Sequence, residues 1–140
     1  MNVKFLPLLI LLFAYLSANG QGIRVETLEI LGANNTKISF LSNLVEAREG
    51  MLLDTLLMER DVQRLKRLPA ISHAFYRVNL LNENSCEIQY IIEENFTLIP
   101  FANLFSSSND DFAFRIGLQE FNFLGRNITL GAFYQYDNYS

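Results

Sequence analysis

Two segments near the C-terminal end of the chain alternate between apolar and polar residues with a period of two. The apolar phase consists of Phe112, Phe114, Ile116 and Leu118 in the first segment and of Ile128, Leu130, Ala132, Tyr134 and Tyr136 in the second. Because successive side chains of a β-strand point to opposite faces, each segment predicts a strand with one apolar face and one mixed face. A strand of a membrane β-barrel has this pattern, since one face meets lipid and the other meets the lumen.

The first twenty residues have the organisation of a secretory signal peptide. Lys4 is their only charged residue, an apolar run extends from Phe5 to Leu16, and Ala18 and Gly20 supply the small residues of a cleavage site. A membrane-spanning helix needs about 20 apolar residues, so the shorter run favours a cleaved signal over an anchor. The sequence therefore predicts a signal peptide over residues 1–20 and a mature chain that begins near Gln21.

Few residues are available for catalysis, metal binding or cross-linking. Cys86 is the only cysteine and His73 the only histidine, so an internal disulfide and a histidine-based metal cluster are excluded. The formal net charge is −4, and without a basic stripe nucleic-acid binding has no electrostatic support. The sequence offers no nucleophile–base pair and no phosphate-binding loop. We therefore expect a non-enzymatic protein that uses neither a metal nor another cofactor.

Residues 21–95 have the pattern of a small α+β domain. The predicted elements are a strand from Ile23 to Leu31, a helix that Thr36 caps and Gly50 ends, a helix from Asp54 to Pro69, and strands from Ala74 to Leu81 and from Cys86 to Glu93. The second helix has the clearest signal, because Asp54 can cap it and Met58, Val62 and Leu65 form an apolar stripe. In this order the two helices can cover one face of a small sheet.

Residues 96–140 are predicted to begin an antiparallel transmembrane β-barrel. Phe96 to Phe105 is an apolar run of about the ten residues that one tilted barrel strand requires. A polar loop from Ser106 to Asp111 separates this run from the two alternating segments. The tail therefore predicts about three barrel strands, which is an incomplete barrel.

Two sets of motifs resemble those of one known family. The matches in the α+β unit, which resembles a POTRA (polypeptide-transport-associated) domain, are Leu28-x-Ile30-x-Gly32, Gly50 before the second helix, and Arg64-Leu65 leading into Leu68-Pro69-x-Ile71. The segment from Phe114 to Asn127, with its Asn122-Phe123-Leu124-Gly125 turn, resembles an early barrel hairpin of the same family. That family is the BamA-like barrels, which assemble or translocate proteins at the bacterial outer membrane.

The resemblance implies a location, partners and a function. It implies an outer-membrane protein whose POTRA-like domain lies in the periplasm and whose barrel strands contact outer-membrane lipid. The implied partners are unfolded or nascent outer-membrane proteins and periplasmic accessory proteins. Members of the family carry a complete large barrel, and three strands cannot close in lipid. We therefore expect a fragment, a truncated gene product or the N-terminal portion of a longer protein.

Three groups of residues are candidate functional sites. If the last strand of the α+β unit is central, the strand from Ala74 to Leu81 is a free edge that can bind a client by strand addition. The predicted client-binding residues are Phe75, Arg77, Asn79 and Leu81. The predicted seam strand of the barrel contains Phe96, Leu98, Pro100 and Phe101. The predicted turn motif consists of Asn122, Leu124 and Gly125. A proline at Arg77 or Asn79 is expected to weaken client binding. Proline cannot donate to a strand ladder, so Pro100 fits either a weakly paired seam or a simple irregularity at a strand end.

Two other functions fit the same pattern. The α+β unit could be a periplasmic scaffold that docks folded accessory proteins and never touches clients. Alternatively, the chain could be a small outer-membrane protein that closes a barrel by oligomerising. Crosslinking from Phe75 and Arg77 distinguishes the first alternative from client capture, and the mass of the protein in detergent tests the second.

Overall fold

The computed structural model describes residues 22–106 and 112–137, which form two three-stranded sheets and two helices. The elements are β1 (Arg24–Leu31), α1 (Ile38–Leu44), α2 (Thr55–Lys66), β2 (Ile71–Leu80), β3 (Ser85–Glu94), β4 (Leu98–Ser106), β5 (Phe112–Phe123) and β6 (Ile128–Asp137). The predicted signal peptide and most of the polar loop before Phe112 lie outside the described residues. Neither helix is long and apolar enough to span a membrane.

The first sheet has β3 at its centre. The strand order is β1-β3-β2, with β1 parallel and β2 antiparallel to β3. Every second residue of β3 is buried, including Ile88 and Tyr90, and these side chains pack with Leu41 of α1 and with Met58 and Leu65 of α2. This one-sided burial follows from the period of two in the sequence, since only one face of the sheet is covered by helices.

The second helix agrees with its prediction and the first does not. The Asp54 carboxylate accepts a hydrogen bond from the Leu57 N–H at 3.1 Å, which is the predicted N-cap. By contrast, α1 ends at Leu44, and its N-cap is Lys37, whose side chain makes no capping bond. The predictions that Thr36 caps this helix and that Gly50 ends it are therefore wrong. Gly50 has a φ of +84° in a turn beside β1, where a side chain would be strained.

The second sheet is an antiparallel meander with the order β4-β5-β6. Its register places the apolar phases of neighbouring strands on the same face, with Phe114 opposite Tyr136 and Ile116 opposite Tyr134. The other face pairs Arg115 with Gln135. The predicted alternation of an apolar face and a mixed face is therefore confirmed for β5 and β6. In the part of the chain that is described, this sheet does not close on itself.

Candidate functional site

The outer edge of β2 is the free edge of the first sheet. On the opposite side of the sheet, residues 50–53 cover the start of β1: the Val25 N–H donates to the Met51 carbonyl at 2.8 Å, and the Leu53 N–H donates to the Ile23 carbonyl at 2.8 Å. The Glu49 carboxylate accepts from the Leu28 N–H further along β1. Among the described residues β2 pairs only with β3, so the predicted edge position of this strand is confirmed.

The register determines which backbone groups of β2 point outwards. The Leu81 N–H donates to the Ser85 carbonyl at 3.0 Å, and residues 75, 77 and 79 follow in the same alternation. Along a strand of an antiparallel pair, the backbone N–H and C=O groups of one residue bond the partner strand and those of the next residue point away from it. The N–H and C=O groups of Ala74, Tyr76 and Val78 therefore face the free edge. A proline at Arg77 or Asn79 would break a bond to β3, so the informative position for a proline is Tyr76.

The predicted client-binding side chains occupy different environments. Phe75 and Arg77 are exposed on the face of the sheet away from the helices. The Asn79 side-chain amide donates to the Glu87 carboxylate at 3.0 Å, which holds it against β3. Leu81 lies one residue beyond β2, and its N–H still bonds β3 at the Ser85 carbonyl. Outward backbone groups, rather than these four side chains, define the edge.

A groove runs between the free edge of β2 and helix α2. The residues that line it from the helix and its caps include Leu56, Arg60, Gln63 and the C-cap Arg67, and the strand contributes Ala74, Phe75 and Tyr76. The four helix positions are spaced four, three and four residues apart, so they lie on one face of α2. The groove is open to solvent along the edge, and an added strand would therefore lie beside this face of the helix.

A buried carboxylate fixes the position of α2. Asp61 is fully buried, and it accepts hydrogen bonds from the Glu46 and Ala47 N–H groups, the Arg64 guanidinium and the Tyr90 hydroxyl at distances of 2.8 to 3.0 Å. Burial, followed by the nearby Asp61 charge, raises the pKa of Tyr90 far above its ordinary value. Sequence reasoning missed this network. Its only local signal is that Asp61 shares the apolar stripe of α2 with Met58 and Leu65.

The turn between β5 and β6 contacts the first sheet through a second polar network. Asn122 is only 6% exposed. Its side-chain amide donates to the Thr36 hydroxyl at 2.9 Å, and its side-chain carbonyl accepts from the Asn127 N–H at 2.9 Å. The Lys37 N–H donates to the Gly125 carbonyl at 2.9 Å. The predicted turn residues therefore form the junction between the two sheets, and Thr36 belongs to this junction instead of capping α1.

Glu94 holds the other side of the junction. Residues 34–37 form a loop, here called the anchor loop, and the Glu94 carboxylate accepts from the backbone N–H groups of Asn34, Asn35 and Thr36 at 3.1, 2.8 and 2.7 Å. Partial burial disfavours the charged carboxylate, but the hydrogen bonds from Thr36, Asn35 and Asn34 outweigh it and lower the pKa of Glu94. The end of β3 thereby fixes the loop that the β5–β6 turn contacts.

The predicted seam residues lie at the open edge of the second sheet, with one exception. Leu98, Pro100 and Phe101 belong to β4, and Pro100 lies opposite Leu118 of β5. Phe96 precedes β4 and is 78% exposed, so its placement in the seam strand was wrong. Since β4 has only β5 as a neighbour in the described residues, Pro100 stands on an edge strand, where the missing N–H is tolerated.

The remaining titratable candidates do not assemble into a reactive site. His73 Nδ1 lies 3.4 Å from the Glu93 carboxylate, and both side chains are mostly exposed. Cys86 is buried, and burial raises the pKa of its thiol. No cluster of three His, Cys, Asp or Glu side chains suited to a metal ion occurs within residues 22–106 and 112–137.

Comparison with known proteins places this architecture beside one group of solved structures. No protein-family model matches the chain, and no curated protein matches it. A crystal structure of BamA from Haemophilus ducreyi lacking POTRA domains 1–3 superimposes with a TM-score of 0.69 and 23% identity over 82% of this chain. The chain shares its fold with part of BamA. It spans 22% of the length of that BamA chain.

A second solved structure has a more distant similarity. CdiB from Acinetobacter baumannii matches with a TM-score of 0.50 and 11% identity, over 84% of this chain and 23% of CdiB. The BamA-like fold expected from the sequence motifs is confirmed by these similarities. The assignment of residues 21–95 to a POTRA domain stays a prediction.

Proposed function

We propose that this chain is part of an outer-membrane machine that assembles or translocates proteins, and that its first sheet captures extended polypeptide by strand addition. The observation that carries the proposal is the asymmetry of the first sheet. The start of β1 is covered by residues 50–53, whereas β2 presents the backbone groups of Ala74, Tyr76 and Val78 at its free edge, and Ala74 and Tyr76 line an open groove there. Backbone hydrogen bonds recognise an extended chain with little regard to its side chains, which suits a protein with many clients.

The second sheet supports a location in the membrane. Its strands have 9, 12 and 10 residues, close to the 9–11 that cross a bilayer when tilted. On its apolar face the Phe114 ring contacts the Tyr134 and Tyr136 rings, and Tyr134 is 60% exposed. Such an apolar face is stable in hydrocarbon, whereas in water it promotes aggregation. We assign it to lipid, and we place the first sheet in the periplasm.

A proline at the free edge tests client capture. Tyr76→Pro removes one outward N–H and places a ring in the path of the added strand, so the affinity for an extended peptide should fall by about tenfold. The matched control is Tyr76→Ala, which removes the same side chain and keeps the N–H. Binding of a fluorescent peptide taken from a barrel strand is measured by anisotropy with the full chain in detergent.

The result depends on the difference between the two variants. Equal affinities of folded Tyr76→Pro and Tyr76→Ala would rule out strand addition at β2. Crosslinking from Phe75 and Arg77 gives a second readout, because capture of folded partners alone, without extended polypeptide, would indicate a scaffold.

A further inference from the structure

The groove beside the free edge of β2 carries an excess of unpaired positive charge. Arg60, Lys66 and Arg67 line it and are exposed. Across the described ranges the one arginine or lysine in an ion pair is Arg64, which contacts Glu46 and Asp61. The three groove cations therefore make no ion pair within the described residues, although the protein as a whole has a formal net charge of −4. A local charge of this sign on an acidic protein favours an acidic ligand.

The geometry of strand addition determines which side chains of a ligand would meet these cations. A strand added to β2 presents alternate side chains to opposite faces of the extended sheet. One set lies on the helix side of the sheet, as Ala74 and Tyr76 do, and therefore faces Arg60 and Arg67. The other set lies on the solvent side beside Phe75 and Arg77. Only every second residue of the ligand can contact α2.

We infer that the groove selects extended segments that carry acidic residues at alternate positions, with their carboxylates against Arg60, Lys66 and Arg67. This inference rests on the proposed capture of clients at β2 and names the class of segment that is captured. Along the axis, Arg60 and Arg67 are about 10 Å apart, since a helix rises 1.5 Å per residue. Residues i and i+2 of a strand are about 7 Å apart, and the long arginine side chains can span the difference.

Two electrostatic effects oppose this attraction without cancelling it, because the two groove carboxylates, Asp54 and Glu59, are fewer than the three unpaired cations. The C-terminal end of α2 carries roughly half a negative charge from its aligned peptide dipoles, against three full positive charges. Asp54 and Glu59 also line the groove, but they lie in the first half of the helix, and the Asp54 carboxylate is engaged by the Leu57 N–H. Both carboxylates precede the three cations in the helix, so the acidic side chains of the ligand are expected beside the segment from Arg60 to Arg67.

Peptides of one length and three charges test the inference. The parent has aspartate at alternate positions of an otherwise apolar and threonine-rich strand, and the two others replace each aspartate by asparagine or by lysine. Exposed ion pairs contribute modestly, so two of them should give the aspartate peptide about fivefold higher affinity than the asparagine peptide at low salt. The lysine peptide should bind more weakly than the asparagine peptide, and 1 M salt should remove both differences.

A pair of charge-matched variants locates the effect in the groove. Arg60→Gln combined with Arg67→Gln should abolish the preference for aspartate, so that the aspartate and asparagine peptides bind with equal affinity. The control combines Lys37→Gln with Arg126→Gln, two exposed side chains outside the groove, and should keep the preference. Both double variants lower the charge of the chain by the same amount, so a general charge effect would change them equally.

The outcomes separate this inference from the proposed function. If all three peptides bind equally well and Tyr76→Pro weakens each of them, strand addition stands and the charge preference is refuted. A preference that survives in Arg60→Gln/Arg67→Gln and is lost in the control would also refute the inference. If no peptide binds, or Tyr76→Pro has no effect, the proposed function fails and the inference fails with it.

Discussion

Replacing Gly125 by alanine should detach the β5–β6 turn from the anchor loop. Gly125 has a φ of +68°, and a Cβ atom there would overlap the Asn35 carbonyl oxygen and lie 3.0 Å from the Lys37 nitrogen. Both obstacles are backbone atoms, so no side-chain rotation can relieve them. The turn must therefore move away from the loop, and the hydrogen bonds of the junction should be lost with it.

Two other glycines separate the causes of this effect. Gly50 has a φ of +84°, and a Cβ atom there would meet no other atom within 4 Å, so Gly50→Ala reports the conformational strain alone. Gly131 lies in β6, and a Cβ there would meet its nearest neighbour at an ordinary 3.5 Å, so Gly131→Ala should be tolerated. Only Gly125→Ala combines strain with a clash against the anchor loop.

The expected magnitude follows from the bonds that cross the junction. Movement of the turn breaks the bond from Lys37 to Gly125 and the bond from Asn122 to Thr36, each of which stabilises by about 1 kcal/mol. A loss of about 2 kcal/mol raises the population of the open junction by about 30-fold. Since the Lys37 N–H exchanges with solvent only when the junction opens, its exchange rate should rise by the same factor.

Amide hydrogen exchange measured by NMR in detergent micelles tests this prediction at a single residue. The Lys37 amide should exchange about 30-fold faster in Gly125→Ala than in the parent, and at the parent rate in Gly50→Ala and Gly131→Ala. Amides of β3 should be unchanged in Gly125→Ala and Gly131→Ala, because the core of the first sheet is not disturbed. Equal Lys37 exchange rates in Gly125→Ala and Gly131→Ala would show that the junction does not depend on this close approach.

Two further predictions concern the carboxylates of the first sheet. Hydrogen bonds lower the pKa of Glu94, so the stabilisation of the anchor loop by Glu94 should be complete above the ordinary carboxyl pKa of 4.5 and should disappear as the pH falls below that value. The Thr36 amide resonance should shift with this titration. A shift that persists in Glu94→Gln would assign the titration to another group. Asp61→Asn should lower the free energy of unfolding by about 3 kcal/mol, because the side-chain NH2 group of asparagine would face backbone N–H donors. Asp54→Asn is the control and should change the free energy of unfolding little, because asparagine is also a good N-cap. Equal urea midpoints for the two asparagine variants would contradict the role of Asp61.

Local patterns predicted the elements whose signals lie within a few residues of one another. Helix α2 was predicted because its cap at Asp54 and its apolar stripe are set by positions three or four residues apart. Strands β5 and β6 were predicted because successive side chains of a strand face opposite sides of the sheet, which gives their sequences a period of two. The free edge was predicted because β2 and β3 form a hairpin, which makes them neighbours and leaves β3 to pair with β1.

Contacts between distant residues explain what the sequence could not predict. Thr36 has the residue type of a helix cap, but its hydroxyl accepts from Asn122, which is 86 residues away. Asp61 lies in the middle of α2, but its four donors come from α2, from the segment after α1 and from β3. A local rule cannot anticipate such partners, because a buried polar group takes whichever donor the tertiary fold brings to it.

The register suggests that client capture and attachment to the second sheet are independent of each other. Ala74, Tyr76 and Val78 face the free edge, whereas the residues between them bond β3, so an added strand would use backbone groups that do not hold the sheet together. The junction depends on Glu94 at the far end of β3, whose pairing with β2 the added strand leaves unchanged. Gly125→Ala should therefore bind peptide with the parent affinity, and Tyr76→Pro should leave the Lys37 exchange rate unchanged. If the first sheet binds an extended chain at the β2 edge while the junction stays fixed, each client would be held at a constant distance from the second sheet.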